Sequence, residues 1–137
     1  MAIKQVSVFV ENKKGKLVEV IEKLAKANIN IQAMSIADSK DFGILRLIVS
    51  DNDKAVALLK EDTIVKTTDV IAVKMDDIEG ALYKVLQTLD KADINVDYSY
   101  AFTVHKELDA YVVFRVDNIA DAEKILADNG FTLLNNI

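Results

Sequence analysis

"ENKKGKLVEVIEKLAKANINI", Glu11 to Ile31, is answered sixty-five positions later by "DDIEGALYKVLQTLDKADINV", Asp76 to Val96. With Gly15 laid on Gly80 the two stretches align without a gap. Leu17 meets Leu82, Val20 meets Val85 and Leu24 meets Leu89. Lys26, Ala27, Ile29 and Asn30 meet Lys91, Ala92, Ile94 and Asn95. A unit of about 66 residues is longer than the repeat of a solenoid, so the pattern reads as a duplicated small domain.

Working outward, each glycine loop follows a strand. Val6, Val8 and Val10 alternate in "IKQVSVFV", and Ile71, Val73 and Met75 alternate in "DVIAVKM", the period of a pleated strand. After each loop the apolar spacing becomes helical. Leu17, Val20, Ile21, Leu24 and Ala27 share one face, as do Leu82, Val85, Leu86, Leu89 and Ala92. "INIQAMSIAD" and "INVDYSYAFTV" read as second strands, with turns at "SKDFG" and "HKELD". The second turn is two residues longer, so the offset becomes 67. Third strands follow in "ILRLIVSD" and "AYVVFRVDN", then short amphipathic helices on Ala55, Leu58, Leu59 and on Ala122, Ile125, Leu126. Last strands are expected in "TIVKT" and "FTLLNN". The order is β-α-β-β-α-β twice: an α+β chain of two tandem ferredoxin-like units. Each is expected to pack two helices on one face of a four-stranded antiparallel sheet, with right-handed crossovers. The boundary is placed near Thr68, giving domains 1–68 and 69–137 with almost no linker.

The composition fits packed domains. Of 137 residues, 51% are hydrophobic and 28% charged, enough for a core and unlike a disordered chain. No apolar run approaches a membrane span, and "MAIKQVSVFVENKKGK" has no signal-peptide h-region. There is no cysteine, which excludes disulfides and thiolate metal sites, and a cytoplasmic location is expected. The net charge of −5 opposes a sequence-independent grip on nucleic acid. The outer faces of the sheets carry Phe9, Ile44, Ile48, Tyr111 and Val113, so that side is expected to be covered, by the other unit or by a second chain. From that face alone the expectation is a homodimer.

The glycine loops are the candidate site. The first N–H groups of a helix have no partner within it and suit an anion such as a carboxylate. A glycine beside them lets a ligand approach without a Cβ in the way. Glu11 and Asn12, with Asp76 and Asp77, supply acceptors for an ammonium. The same residues also read more plainly: Asn12 and Asp77 as helix caps, the glycines as permitting tight turns. The loop is not a Walker A, since "ENKKGKL" lacks the leading glycine and the Lys-Ser/Thr pair.

The strand, "NKKGKL" or "DDIEGAL", and the helix closing on "KANINI" or "KADINV" together resemble the ACT domain, a regulatory module that binds small molecules, mostly amino acids. "SIADSKDFGILRLIVSD" and "DYSYAF" are similar to tandem ACT proteins that have no attached enzyme. The resemblance covers nearly the whole chain. It departs at the loop proline of the family, which is Lys14 in one unit and Glu79 in the other. It implies a ligand lying between two domains, under the glycine loop of one and against strands of the other. It implicates Asn12, Gly15, Lys16 and Leu17 with Asp77, Gly80, Ala81 and Leu82. From the second strands it adds Met34, Ser35 and Ile36 with Tyr98, Ser99 and Tyr100. Lys13-Lys14 against Asp76-Asp77 makes the two sites unequal.

Catalysis is not expected. His105 is the sole histidine, placed in a turn with no Ser or Cys nucleophile to pair with. No metal spacing appears and no cofactor is expected. "DNDK" and "KEDT" read as caps and exposed helix faces. The function expected is a non-catalytic regulator or sensor that binds a free amino acid at the interface of its ACT-like domains, acting on a regulated protein partner. The alternative is a structural interaction module without a ligand. RNA binding would need glycine-aromatic signatures that "ILRLIVSD" and "AYVVFRVD" lack, and an acylphosphatase-like enzyme would need an arginine in its anion loop.

Overall fold

The computed structural model describes residues 2–104 and 109–135. His105 therefore lies outside the described residues. In chain order the elements are β1 (Ile3–Glu11), α1 (Lys16–Lys26), β2 (Ile31–Asp38), β3 (Phe42–Val49), α2 (Asn52–Leu59) and β4 (Ile64–Met75). They continue with α3 (Ala81–Lys91), β5 (Val96–Val104), β6 (Asp109–Val116) and α4 (Ile119–Asp128). The chain divides between Thr68 and Asp69 into two compact units.

In the first unit β3 lies between β2 and β1 and is antiparallel to both. Val6 stands opposite Leu47 and Val8 opposite Leu45, so the alternating valines share a face with the leucines. Val20 and Leu24 of α1, and Ala55 and Leu59 of α2, close over that face, and each is buried. The second unit repeats this arrangement with β6 between β4 and β5. Its core sets Ile71, Val73, Val112 and Phe114 against Val85 and Leu89 of α3 and Ala122 and Leu126 of α4.

The helix ends are duplicated atom by atom. α1 runs into Asn28, held left-handed at φ 57°, and α3 into Asp93 at φ 60°. Asn28 N–H donates to Ala25 O at 3.0 Å and Ile29 N–H to Leu24 O at 3.0 Å, the Schellman pattern. Asp93 donates to Asp90 O at 2.9 Å and Ile94 to Leu89 O at 3.0 Å in the same way. "NINI" and "DINV" are thus a stop signal for the helix followed by the first residues of a strand. The short helices are capped alike: the Asp51 carboxylate accepts from Lys54 N–H at 3.1 Å, and the Asn118 side chain accepts from Asp121 N–H at 3.0 Å.

Two strand expectations need correction. "TIVKT" and "DVIAVKM" are not separate strands: β4 runs unbroken for 12 residues through the unit boundary. No glycine or proline lies within it, and Ile64, Val65, Thr67, Thr68, Val70, Ile71 and Val73 are β-branched, so nothing local breaks the extension. The described part of "FTLLNN", residues 131–135, forms no strand; it reaches only an isolated bridge, Leu133 to Val73. Two backbone bonds flank it, Lys74 N–H to Thr132 O and Leu134 N–H to Ala72 O, both 2.9 Å. The described residues thus form six strands rather than eight, three hydrogen-bonded neighbours in each unit with β4 shared along the chain.

The outer faces are covered unevenly. Ile48, Tyr111 and Val113 are buried, and so are Gln5 and Ser7, joined by a 3.1 Å hydrogen bond from the Gln5 amide to the Ser7 hydroxyl. Phe9 remains 43% exposed, with Phe42 and Ile64 more so.

Candidate functional site

The loop after β1 turns on itself before entering α1. Lys13 N–H donates to Glu11 O at 2.8 Å and Lys16 N–H to Lys13 O at 3.2 Å. Gly15 is the N-cap residue at φ 91°, in the left-handed region where a side chain is strained. The second loop does the same: Ile78 N–H to Asp76 O at 2.9 Å, Ala81 N–H to Ile78 O at 3.3 Å, and Gly80 at φ 85°. No side chain caps either helix. Asn12 and Asp77 are therefore not caps. Asn12 instead ties the loop to the β2–β3 turn, its backbone N–H donating to Asp41 O at 2.9 Å and its side-chain amide to Ser39 O at 3.3 Å.

This geometry refines which donors are open. The Lys16 and Ala81 amides are engaged inside their own turns. The next two in each helix, Leu17 and Val18 or Leu82 and Tyr83, have no hydrogen-bond partner among the described residues. A Cβ built on Gly15 or Gly80 meets nothing within 4 Å, so both turns face open space. Leu17, Leu82, Leu86 and Ala92, assigned to the buried stripes by periodicity, are exposed instead. Leu17 and Leu82 sit on the first turn of each helix.

One residue past Gly15, Lys16 lines a cleft of about 550 Å³, to which Asn12, Gly15 and Leu17 do not themselves contribute. The end of β1 gives it Phe9, Val10 and Glu11, and α1 gives Lys16, Glu19, Val20 and Lys23. Phe42 at the start of β3 and the turn from Leu59 to Ile64 complete it. Both signs of charge face it, and its accessible apolar surface comes from Phe9, Phe42 and Ile64. Glu11 pairs with Lys13 at 3.2 Å, Lys16 approaches Glu19 at 3.8 Å, and Lys23 is joined to Asp62. By its sequence the "KEDT" segment, Lys60 to Thr63, reads as a cap and exposed helix face. Nothing in its local pattern places it beside α1; only the βαββαβ path does so.

The second-strand residues divide between two faces. Met34 and Ile36 stand opposite Leu47 and Leu45, on the helix side of the sheet, yet both are largely exposed at the edge. Ser35 stands opposite Arg46 on the other side. None of the three lines the Gly15 cleft. In β5 the partition is reversed in character. Tyr98 and Tyr100 stand opposite Arg115 and Val113 on the outer face, half-buried, and Ser99 opposite Phe114 on the helix side. The two tyrosines do share a face, as alternation implies, and Phe102 extends it, its ring stacked on Tyr111 at 5.5 Å between centroids. The corresponding positions of β2 are Ala33, Ser35 and Ala37, so the aromatic row belongs to one unit only.

Among the described residues no group of His, Cys, Asp or Glu is arranged to hold a metal ion, and no helix is long and apolar enough to cross a membrane.

Two glycine-capped helix starts on duplicated βαββαβ units agree with what family comparison finds. A model of the ACT domain pair matches residues 1–136, and the chain belongs to that family. A crystal structure of a protein from Bacteroides thetaiotaomicron is 44% identical, with a TM-score of 0.91 over 98% of this chain and 92% of that one. The fold is also similar to the ligand-free regulatory subunit of aspartate kinase from Thermus thermophilus, at 13% identity and a TM-score of 0.68 over 93% of this chain and 92% of that one. Aspartokinase alpha and beta subunits give 19% identity and a TM-score of 0.64, covering 91% and 90% of the respective chains. No curated protein matches the chain.

Proposed function

We propose that this ACT domain pair is a non-catalytic regulator that binds a free amino acid, and that the cleft beside Gly15 is where it does so. The observation that carries the reading is the mixed lining of that cleft. A zwitterion needs a donor group and an acceptor group a few ångströms apart, and an apolar surface for its side chain. The Lys16 ammonium suits the carboxylate, at the positive end of α1 where the amides of Leu17 and Val18 stay open though neither residue lines the cleft. Glu19 and Glu61 suit the ammonium, and the exposed Phe9, Phe42 and Ile64 of the lining suit an aliphatic or aromatic side chain. The volume lies within the range of metabolite pockets. The named regulatory subunit of aspartate kinase lends weight to a regulatory role through its fold alone.

The test is a set of thermal melts with each of the twenty amino acids. One present at about a hundred times its dissociation constant adds ~2.7 kcal/mol, a rise of roughly 5–10 °C for a protein of this size. Lys16→Glu, which reverses the charge facing the cleft, should remove that rise, while Ala81→Glu at the equivalent place in the second unit should leave it. If no amino acid moves the transition, the reading fails. The protein is then better described as an interaction module, for which the exposed Ile78, Leu82, Tyr83 and Leu86 around the start of α3 would be the contact.

A further inference from the structure

The second unit carries a groove of about 420 Å³ on its helix side, between α3 and α4, beginning one helical turn beyond Gly80 at Lys84. Lys84, Gln87, Thr88 and Lys91 form one wall along α3, and Ile125 and Phe131 provide apolar surface. No carboxylate lines it. Neither lysine ammonium is paired with a carboxylate among the described residues.

The duplication supplies its own control. The positions matching Lys84, Gln87, Thr88 and Lys91 in the first unit are Glu19, Glu22, Lys23 and Lys26, and the position matching Asn129 is Asp62. There the charges are internally matched. Lys23 is joined to Asp62 from α1 to the turn after α2, and Lys26 holds Glu22 at 2.7 Å. In the second unit that bridging pair is replaced by Thr88 and Asn129. Each turns its donor onto its own helix, Thr88 to Lys84 O at 2.8 Å and Asn129 to Ile125 O at 2.7 Å. The exchange removes the crossing ion pair and the two glutamates together, and leaves two ammonium groups beside an open trough with Ile125 and Phe131 in its lining, in a protein of net charge −5.

We infer that this groove is a second binding site, for a small organic anion: a phosphate or carboxylate held by Lys84 and Lys91, attached to a flat apolar body that lies on Phe131 and Ile125. The lysines stand seven residues apart, about two helical turns or ~10 Å. Thr88 lies between them, so an anion at either end keeps its body over the same trough. Ammonium groups bind oxyanions as point charges without demanding a fixed geometry, so phosphate and carboxylate are both admitted. This site does not depend on the amino-acid reading of the Gly15 cleft.

The experiment is a nitrogen-15 amide NMR titration of the full chain with AMP, phenyl phosphate and benzoate, with adenosine and inorganic phosphate as the body-only and anion-only controls. At least one of the three complete probes should shift the Lys84, Thr88, Lys91 and Asn129 amides saturably, and each control should bind about tenfold more weakly or less. Phosphate probes binding while benzoate does not would make it a phosphate site; the converse would make it a carboxylate site. Lys84→Glu and Lys91→Glu should each weaken binding about tenfold. The variant Thr88→Lys with Asn129→Asp, which rebuilds the bridging pair of the first unit, should abolish it with the melting temperature retained. Saturable shifts that survive that variant would overturn the inference, as would no response in the groove to any of the three probes.

Discussion

Around Gly15 and around Gly80 the chain makes the same turn. Two pairs of backbone hydrogen bonds match to within about 0.1 Å, and the glycines differ by only a few degrees in φ. The side chains on that shared backbone have gone separate ways. One turn carries Lys13 and Lys14 and leads into a helix that faces a cleft with Lys16 and Glu19; the other carries Asp76, Asp77 and Glu79, and its unit holds a groove lined by Lys84 and Lys91 between the helices. What was copied is the set of residues whose conformations the fold requires: the left-handed glycine, the left-handed Asn28 or Asp93, and the apolar positions facing the sheet. What was free to drift is everything those residues hold up.

The most damaging way to probe the comparison is through the matched cores. Leu24 and Leu89 are fully buried at equivalent places. Leu24→Ala and Leu89→Ala should each destabilise by about 3–5 kcal/mol in urea or thermal unfolding, from lost transfer energy plus the cavity left behind. Equal losses would show that the two cores are packed alike. A clear inequality would show that one unit relaxes around the cavity and the other does not.

The helix exits offer a smaller effect of opposite sign. Asn28 and Asp93 occupy a region that disfavours side chains, although both tolerate it better than most. Asn28→Gly and Asp93→Gly should therefore raise stability by up to about 1 kcal/mol, read as a shift in denaturant midpoint at constant slope. Loss of stability in either would mean that its side chain does more than permit the turn.

These positions also mark how much the sequence discloses. "NINI" and "DINV" announce a helix end and a strand start, and the period-2 and period-3.6 patterns place all four helices because those signals are local. Gly15 and Gly80 were legible for the same reason: no other residue type fits that backbone so well. The fate of "FTLLNN" was not, since whether five or six apolar and polar residues become a strand depends on how far their neighbour pairs with them. Nor was the continuity of β4, because a domain boundary and an unbroken run of β-branched residues make contrary local claims. In the candidate site the loop was readable, but Glu61 and Asp62 were not. They reach the cleft only because a second crossover returns the chain beside α1. The exposed Leu17, Leu82 and Leu86 mislead in a related way: a helical stripe gives the side that faces the sheet, but only its centre, Val20 and Leu24 or Val85 and Leu89, is closed off from water.

The mildest test is electrostatic, and it converts one unit into the other. Glu22 and Lys26 pair at 2.7 Å where the second unit has Gln87 and Lys91. The hydrogen bond from Lys26, and after it the Lys26 charge, hold the Glu22 carboxyl below its ordinary value of 4.5. A carboxylate whose value falls on folding contributes stability that is present above the unfolded value and lost as the pH drops through the folded one. Glu22→Gln should therefore lower stability slightly at neutral pH and low salt. The deficit should disappear in acid below the carboxylate range, and also in high salt, because the pair is fully exposed and easily screened. A deficit that persisted in acid would have another origin, such as the helix preference of the two side chains, and the charge difference between the units would then carry no weight in their stability.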